Sequence, residues 1–297
     1  MRSMNIGEKI RELRVAKLMT QSELAGSHIT RNMLSCIENG AAQPSLSTIL
    51  YVAERLNVPA GFLLAEEGDE IVYRKMNGLA NIKRAYTVGD WRGCRSLCLS
   101  DCPEPDDEIS LLLADCDAGI AAEEFWHGRL RSSCRFFDEA LSYADRTVYP
   151  TEHIEACARV YFQYMQRISA TLYSDVLDEE KKLGVRHVSA FSTYVEGLGA
   201  LDEGDCKRAE ALAEDLDPES FFAKHIRVRL MMEVSHFSEA KASLLQFLEA
   251  ETPLNEVELY AVLCELEICC REIEDFKGAY RYASEKVQLL EQLLKEV

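Results

Sequence analysis

The stretch TQSELAGSHITRNMLSCIENGAAQPSLSTILYVAERLNVPAGFLL, Thr20 to Leu64, decides the reading of this chain. It holds a capped helix, a short turn, a second capped helix and an Asn-Gly stop in close succession. Helices this short are marginal alone in water and must pack on neighbours. Thr20 with Glu23 three places on forms a capping box. Leu24 and Ala25 point inward, Gly26 breaks the helix, and Ser27-His28-Ile29 forms the turn, His28 being an ordinary turn residue. Thr30 caps the next helix, which ends at Asn39-Gly40. Its buried stripe is expected to be Met33, Leu34 and Ile37, which leaves Arg31, Asn32, Ser35 and Cys36 outward. Ser45, just after Pro44, caps a fourth helix with an expected inner face of Leu46, Ile49, Leu50, Ala53 and Leu56. A fifth turn from Pro59 buries Phe62 and Leu63. Upstream, Ile6, Ile10 and Leu13 at helical spacing predict a first helix from about Asn5 to Lys17.

Two short helices joined by a Gly-containing turn are a means of presenting the second helix to the major groove of DNA. Arginine can donate two hydrogen bonds to guanine, and an asparagine amide can pair with adenine. A helix start adds free N–H groups and a positive dipole end for a phosphate.

The pattern TQ-x-ELA, T-x-x-x-L-x-x-IENG, PSL-x-T and A-x-x-L-x-V resembles the Xre/Cro-type helix-turn-helix of bacterial and phage regulators over about residues 5–65. The resemblance implies base contacts from Arg31 and Asn32, with Ser35 and Cys36 on the same face. Cys36 stands where the family often has a long polar side chain, so it either touches a thymine methyl or contributes nothing. Phosphate contacts are implied for Gln21, Thr30, Asn39, Gln43 and Ser45. The turn before Thr30 is one residue shorter than usual in the family. A homodimer reading an inverted repeat in double-stranded DNA is the implied mode of action.

Charge follows the same division. The chain has 297 residues and a net charge of −18. Residues 1–65 carry seven Lys/Arg against five Asp/Glu, net +2, which leaves −20 on the remainder. A near-neutral head on an acidic body suits a DNA reader whose body should not adhere to phosphate. We therefore expect a helix-turn-helix domain over 1–65, a hinge over 66–76 around the acidic AEEGDE stretch, and a second domain over 77–297. With 47% hydrophobic and 28% charged residues, no apolar run long enough to span a bilayer and no secretory signal at the start, the protein is expected in the cytoplasm. Eleven cysteines, mostly inside amphipathic helical patterns, are expected as reduced apolar residues.

Beyond Ile71 everything reads helical. Helices alternate with tight turns: Gly89-Asp90-Trp91, Trp126-His127-Gly128, Gly204-Asp205-Cys206, Ser235-His236-Phe237 and Asp275-Phe276. A small residue three places past the turn (Cys94, Ala209, Ala240, Ala279) lets paired helices approach. The interval from Gly128 to Gly204 is double the others and should hide one more pair. This resembles divergent tetratricopeptide repeats, five or six helix pairs, so the expected fold class is all-α: a five-helix head followed by a tetratricopeptide-like α-solenoid with a concave groove. Head and body together resemble the peptide-sensing transcription regulators of Gram-positive bacteria, which implies a short peptide as effector. A polar stripe, Arg159, Gln163, Gln166 and Arg167, is the candidate effector face, with Tyr161, Tyr164 and Tyr173 nearby; a solvated outer face is the alternative. A regulator whose repeats only dimerise, or an adaptor that binds other proteins, are the other functions open to this layout.

Cys94, Cys98 and Cys102 share a helix face ahead of Cys116 but lack a nearby histidine, so core packing is expected rather than a metal; the same holds for Cys269-Cys270. Gly197 and Gly199 lack the rest of a dinucleotide loop. No cofactor and no catalytic constellation is expected.

Overall fold

The computed structural model describes residues 5–65, 69–174, 176–177 and 189–295. Among them the secondary structure is entirely helical, sixteen helices in all. The chain divides into two compact units, Met1–Pro105 and Asp106–Val297. Among the described residues, no helix is long and apolar enough to cross a membrane.

The first unit opens with α1 (Ile6–Ala16), α2 (Gln21–Ala25), α3 (Arg31–Glu38), α4 (Leu46–Arg55) and α5 (Ala60–Leu64). Every start forecast from the caps is present. Asn5 and Glu8 close a capping box on α1, as Thr20 and Glu23 do on α2. The Thr30 and Ser45 hydroxyls accept from the N–H of Met33 and Thr48. These helices surround one core of Ile10, Leu24, Leu34, Ile37, Ile49, Val52, Leu56 and Leu63. Gly7 lets α1 lie against the end of α3, where any Cβ would overlap the Ile37 carbonyl oxygen.

Two expected stripes need correction. Met33 is 41% exposed, leaving Leu34 and Ile37 to anchor α3. On α4, Leu46 and Leu50 are exposed and the inner face is Thr48, Ile49, Val52, Ala53 and Leu56. An apolar repeat at i and i+4 reads alike on either side of a short helix, and here the β-branched set won the core. Phe62 is half-buried rather than buried; Lys9 lies over its ring.

The helices α2 and α3 are held by a buried carboxylate. Glu38, at the end of α3, accepts from Arg14 Nε at 2.6 Å and Nη2 at 3.0 Å, and from Gln21 Nε2 at 2.8 Å. The remaining Arg14 nitrogen donates to the Met19 carbonyl at 2.8 Å. One side chain thus joins α1, α2 and α3. From α4, Tyr51 and Arg55 reach back to the Ala25 and Glu23 carbonyls of α2.

The first unit ends with a helical hairpin, α6 (Asp69–Thr87) and α7 (Trp91–Asp101). Helix α6 starts inside the stretch read as the 66–76 hinge, whose residues 66–68 lie outside the described residues. The hairpin falls in the unit 1–105, whereas the sequence reading began the second domain at residue 77.

The second unit contains α8 (Asp107–Trp126), α9 (Leu130–Ala144), α10 (Glu152–Ile168), α11 (Ala190–Asp202), α12 (Cys206–Glu214), α13 (Phe221–Glu233), α14 (Phe237–Glu249), α15 (Glu256–Glu272) and α16 (Phe276–Leu293). Four antiparallel pairs, α8–α9, α11–α12, α13–α14 and α15–α16, stack in order, and α10 packs on α8, α9 and α11. Of the further pair expected between Gly128 and Gly204, the described residues show one helix, α10, and residues 175 and 178–188 lie outside them. Within this unit Arg131 Nε donates to the Leu294 carbonyl at 2.8 Å, so its first and last pairs touch.

One turn recurs at every pair. A residue in the left-handed region (Gly89, Gly128, Gly204, Ser235, Glu274) ends the first helix. The next residue leads directly into the second helix. Three places into that helix the side chain is small and buried at Cys94, Ser133, Ala209 and Ala240, and half-buried at Ala279. Cys94 and Ser133 donate to the carbonyls of Ile82 and Ala121 on the preceding helix. All eleven cysteines are free. Burial pushes the Cys134 and Cys269 thiols up to about 12, which keeps them protonated and inert. Among the described residues, no group of three metal-ligating side chains forms a site.

These packing relations have measurable consequences. Gly204 has a φ of 77° and open space where a Cβ would stand, so Gly204→Ala should cost about 1 kcal/mol through backbone strain alone; chemical denaturation reads it. Removing one partner of a buried ion pair costs roughly 3–5 kcal/mol, so Glu38→Ala should speed hydrogen exchange throughout α3 while leaving α11 to α16 protected. Burial raises the Glu38 carboxyl, but Arg14 and Gln21 outweigh it and hold the net value below the ordinary 4.5. A depressed carboxylate stabilises fully above its unfolded value, and that stability is lost as pH falls through the folded one. Exchange protection of α3 should therefore decline on acidification below about pH 4.5, with a shallower decline in Glu38→Gln.

Candidate nucleic-acid interface and inner cavity

Helix α3 presents its N-terminal half to solvent. Thr30 spends its hydroxyl on the Met33 N–H at 3.1 Å. Arg31, Asn32 and Cys36 are exposed, and Ser35 is half-buried. Met33 adds a thioether to the same exposed surface, a residue the sequence reading had assigned to the core. The face therefore combines a guanidinium, an amide, a hydroxyl and two soft sulfur atoms. Arginine and asparagine can each make a bidentate contact to a base edge, and apolar groups can pack on thymine methyls.

Around this face, Asn39 and Gln43 are exposed. Ser45 is exposed but shares its hydroxyl with the Thr48 N–H and side chain and with Ser47. Gln21 is half-buried, and one amide hydrogen is committed to Glu38 at 2.8 Å; its second hydrogen and its carbonyl keep their bonding capacity. His28 stacks on Tyr51 with ring centroids 4.4 Å apart, so this turn residue braces α4.

In the second unit the expected effector stripe is split. Gln163, Gln166 and Arg167 line a cavity of 350 Å³ with Glu196, Glu203 and Arg208. Arg159 is half-buried and lines neither this cavity nor its neighbour. Of the nearby tyrosines, Tyr161 and Tyr164 are core residues and Tyr173 is exposed. Arg167 also enters the second cavity, again 350 Å³, where Asp202, His225, Arg229, Tyr260 and Glu265 join it. The sequence reading named none of these five.

This second cavity is built by α10, α11, α13 and α15, and its polar contacts step from one repeat to the next. Arg167 makes a two-pronged ion pair with Asp202. Arg229 donates to Glu265 Oε1 at 2.9 Å and lies 3.8 Å from Asp202. The Tyr194 hydroxyl and His225 Nδ1 are 3.0 Å apart, and Tyr164 bonds to Tyr194 in turn. Burial, then Arg229 and Arg167, push His225 down to about 3, so its imidazole is neutral. Burial raises the Glu265 carboxyl, against the opposing pull of Arg229.

Comparison with known proteins bears on the first unit. Residues 10–63 match the family model described as Helix-turn-helix. No curated protein matches the chain. Among solved structures, PlcR of Bacillus thuringiensis in complex with the peptide PapR7 and DNA is 14% identical, with 97% of this chain and 96% of that one covered at a TM-score of 0.28. ComR of S. thermophilus in complex with DNA and its signalling peptide ComS is 16% identical, with 96% and 99% covered and a TM-score of 0.23. A Streptococcus dysgalactiae SHP pheromone receptor is 15% identical, with 96% and 99% covered and a TM-score of 0.20. Scores this low give these likenesses no weight in assigning function. What is secure is local: residues 10–63, with their caps, turn and buried Glu38, are a helix-turn-helix domain.

Proposed function

We propose that this protein is a sequence-specific DNA-binding regulator, acting as a homodimer, whose helical repeats seat a small effector, a short peptide in the simplest case. The observation that carries the DNA reading is the exposed start of α3 in a matched helix-turn-helix domain, with Arg31 and Asn32 side by side in its first turn. In this motif the second helix enters the major groove with its N-terminal residues on base edges. Arg31 and Asn32 then read bases, Ser35 and Cys36 border them, and Gln21, Thr30, Asn39, Gln43 and Ser45 position the domain on phosphates. Two domains in a dimer would read half-sites about 34–36 Å apart, or a multiple of that.

The effector reading is supported by the two cavities that share Arg167 on the inner wall of the repeats. Each is within the size range of pockets that hold small ligands. An effector that binds one arrangement of the stack better than another would shift the population of that arrangement, and so the freedom of the DNA-binding heads.

Two measurements test the DNA face. Arg31→Ala should weaken a specific complex by about 1–3 kcal/mol and relax selectivity at one base pair, read by fluorescence anisotropy on single-base variants of the site. Uniform weakening across all sequences would reduce Arg31 to a phosphate contact. Cys36 is exposed, so coupling it to a bulky maleimide should abolish specific binding, and specific DNA should slow the coupling. Equal labelling rates with and without DNA would remove α3 from the interface.

A further inference from the structure

The second cavity contains an unanswered hydrogen-bonding demand. His225 is 2% exposed and Glu265 is 6% exposed. Both line the cavity, and His225 Nε2 and Glu265 Oε2 are buried with no protein partner. Leaving two such atoms unsatisfied is costly in a stable interior. The charged side chains of the wall are already paired, Arg167 with Asp202 and Arg229 with Glu265 Oε1, and Tyr194 is bonded to His225 Nδ1.

We propose that this cavity binds a primary carboxamide, the –CO–NH₂ of an asparagine or glutamine, carried by a free amino acid or by a residue of a peptide. The inference deepens the effector reading given above and rests on it for the cavity's being a ligand seat.

The argument is one of valence. Tyr164, Tyr194 and His225 form a relay with two possible directions. If Tyr194 donates to Nδ1, Nε2 carries the proton and needs an acceptor; if Nδ1 donates to Tyr194, Nε2 is a lone pair and needs a donor. With Glu265 held as a carboxylate by its ion pair with Arg229, Oε2 needs a donor in either case. A primary amide satisfies both states. In the first, its carbonyl accepts from His225 while one N–H donates to Glu265. In the second, its two N–H groups serve both atoms. A carboxylate has no donor for Glu265, and an ammonium has no acceptor for the first relay.

Charge points the same way. The charged side chains lining the cavity are two arginines and two carboxylates, and His225 is neutral. A charged group entering the buried end of the cavity would have to disrupt one of these pairs or remain uncompensated, whereas a neutral amide group there disturbs none. The tyrosines at 164, 194 and 260, with Ile168, Leu198 and Cys264, add flat and apolar wall. A volume of 350 Å³ suits one or two residues rather than a long peptide.

The test uses the full-length protein and isosteric probes whose only primary amide is the asparagine side chain, N-acetyl-L-asparagine N-methylamide and N-acetyl-L-aspartate N-methylamide, with free L-asparagine and L-glutamine to separate the in-chain and free sources. Binding is followed by ligand-observed NMR and calorimetry. The asparagine probe, a free amide, or both should bind with at least about tenfold preference over the aspartate probe, since tenfold is the scale of one unmatched hydrogen bond. Preference for the acetylated form assigns the amide to a peptide, and preference for the free form assigns it to an amino acid. His225→Phe should remove that preference. Should His225→Phe not fold, Tyr194→Phe, which breaks the relay and retains the ring, should reduce it. Aspartate bound as well as asparagine, or no amide bound at millimolar concentration, overturns the proposal. Parallel DNA-binding measurements keep the two readings apart: amide binding with unchanged DNA affinity supports the cavity assignment and counts against the effector role.

Discussion

A charged carboxylate buried between α1, α2 and α3 ties the three helices of the helix-turn-helix to one another. The helices α2 and α3 are five and eight residues long, below the length at which a helix survives alone. Capping alone cannot orient them. Glu38 does so because Arg14 from α1 and Gln21 from α2 both spend their donors on it. The end of α3 is thereby tied inward, and its start, with Arg31 and Asn32, is left projecting. Orientation matters because base recognition depends on geometry: a bidentate contact tolerates little rotation of the helix that carries it. The chain has placed its ion pair behind the proposed reading face rather than in it.

The second unit solves a different problem. Each helix pair has the same left-handed turn and a small residue at the crossing, so successive pairs stack on one another. The inner wall then brings together side chains from successive repeats. The separations are regular: Arg167 to Asp202 is 35 residues, Tyr194 to His225 is 31, and Arg229 to Glu265 is 36. These pairs brace the stack across α10, α11, α13 and α15, and a ligand in the cavity between them would contact several repeats at once. A change at one such point would be passed along the wall, because each repeat is packed on the next.

Much of this was legible in the sequence where local chemistry decides the outcome. Caps at Thr20, Thr30 and Ser45, stops at Gly26 and Gly40, and the recurrent turns of the body are each set by two or three adjacent residues. Sequence was less informative where the outcome depends on partners far along the chain. Leu46 and Leu50 look as apolar as Val52, and only packing against α2 and α5 decides which side faces in. Met33 falls at the edge of an amphipathic stripe and is exposed. Glu38 reads as part of a helix stop, and its burial depends on Arg14, 24 residues away. The inner cavity was half visible. Arg167, Gln163 and Gln166 stood out as a stripe on one helix, but Asp202, Arg229 and Glu265 look like ordinary surface charges until the repeat is aligned. The signal that would have found them is an alternation of Arg, Asp, Arg and Glu at nearly one-repeat spacing on successive inner helices.

The central claim is that α3 selects a DNA sequence. The most direct measurement is selection from a random double-stranded DNA pool by the purified full-length protein, followed by sequencing of the bound fraction. The account predicts one enriched motif with two inverted half-sites, their centres one helical turn or a multiple of it apart. Recovery of the pool with no motif enriched over the input would contradict it.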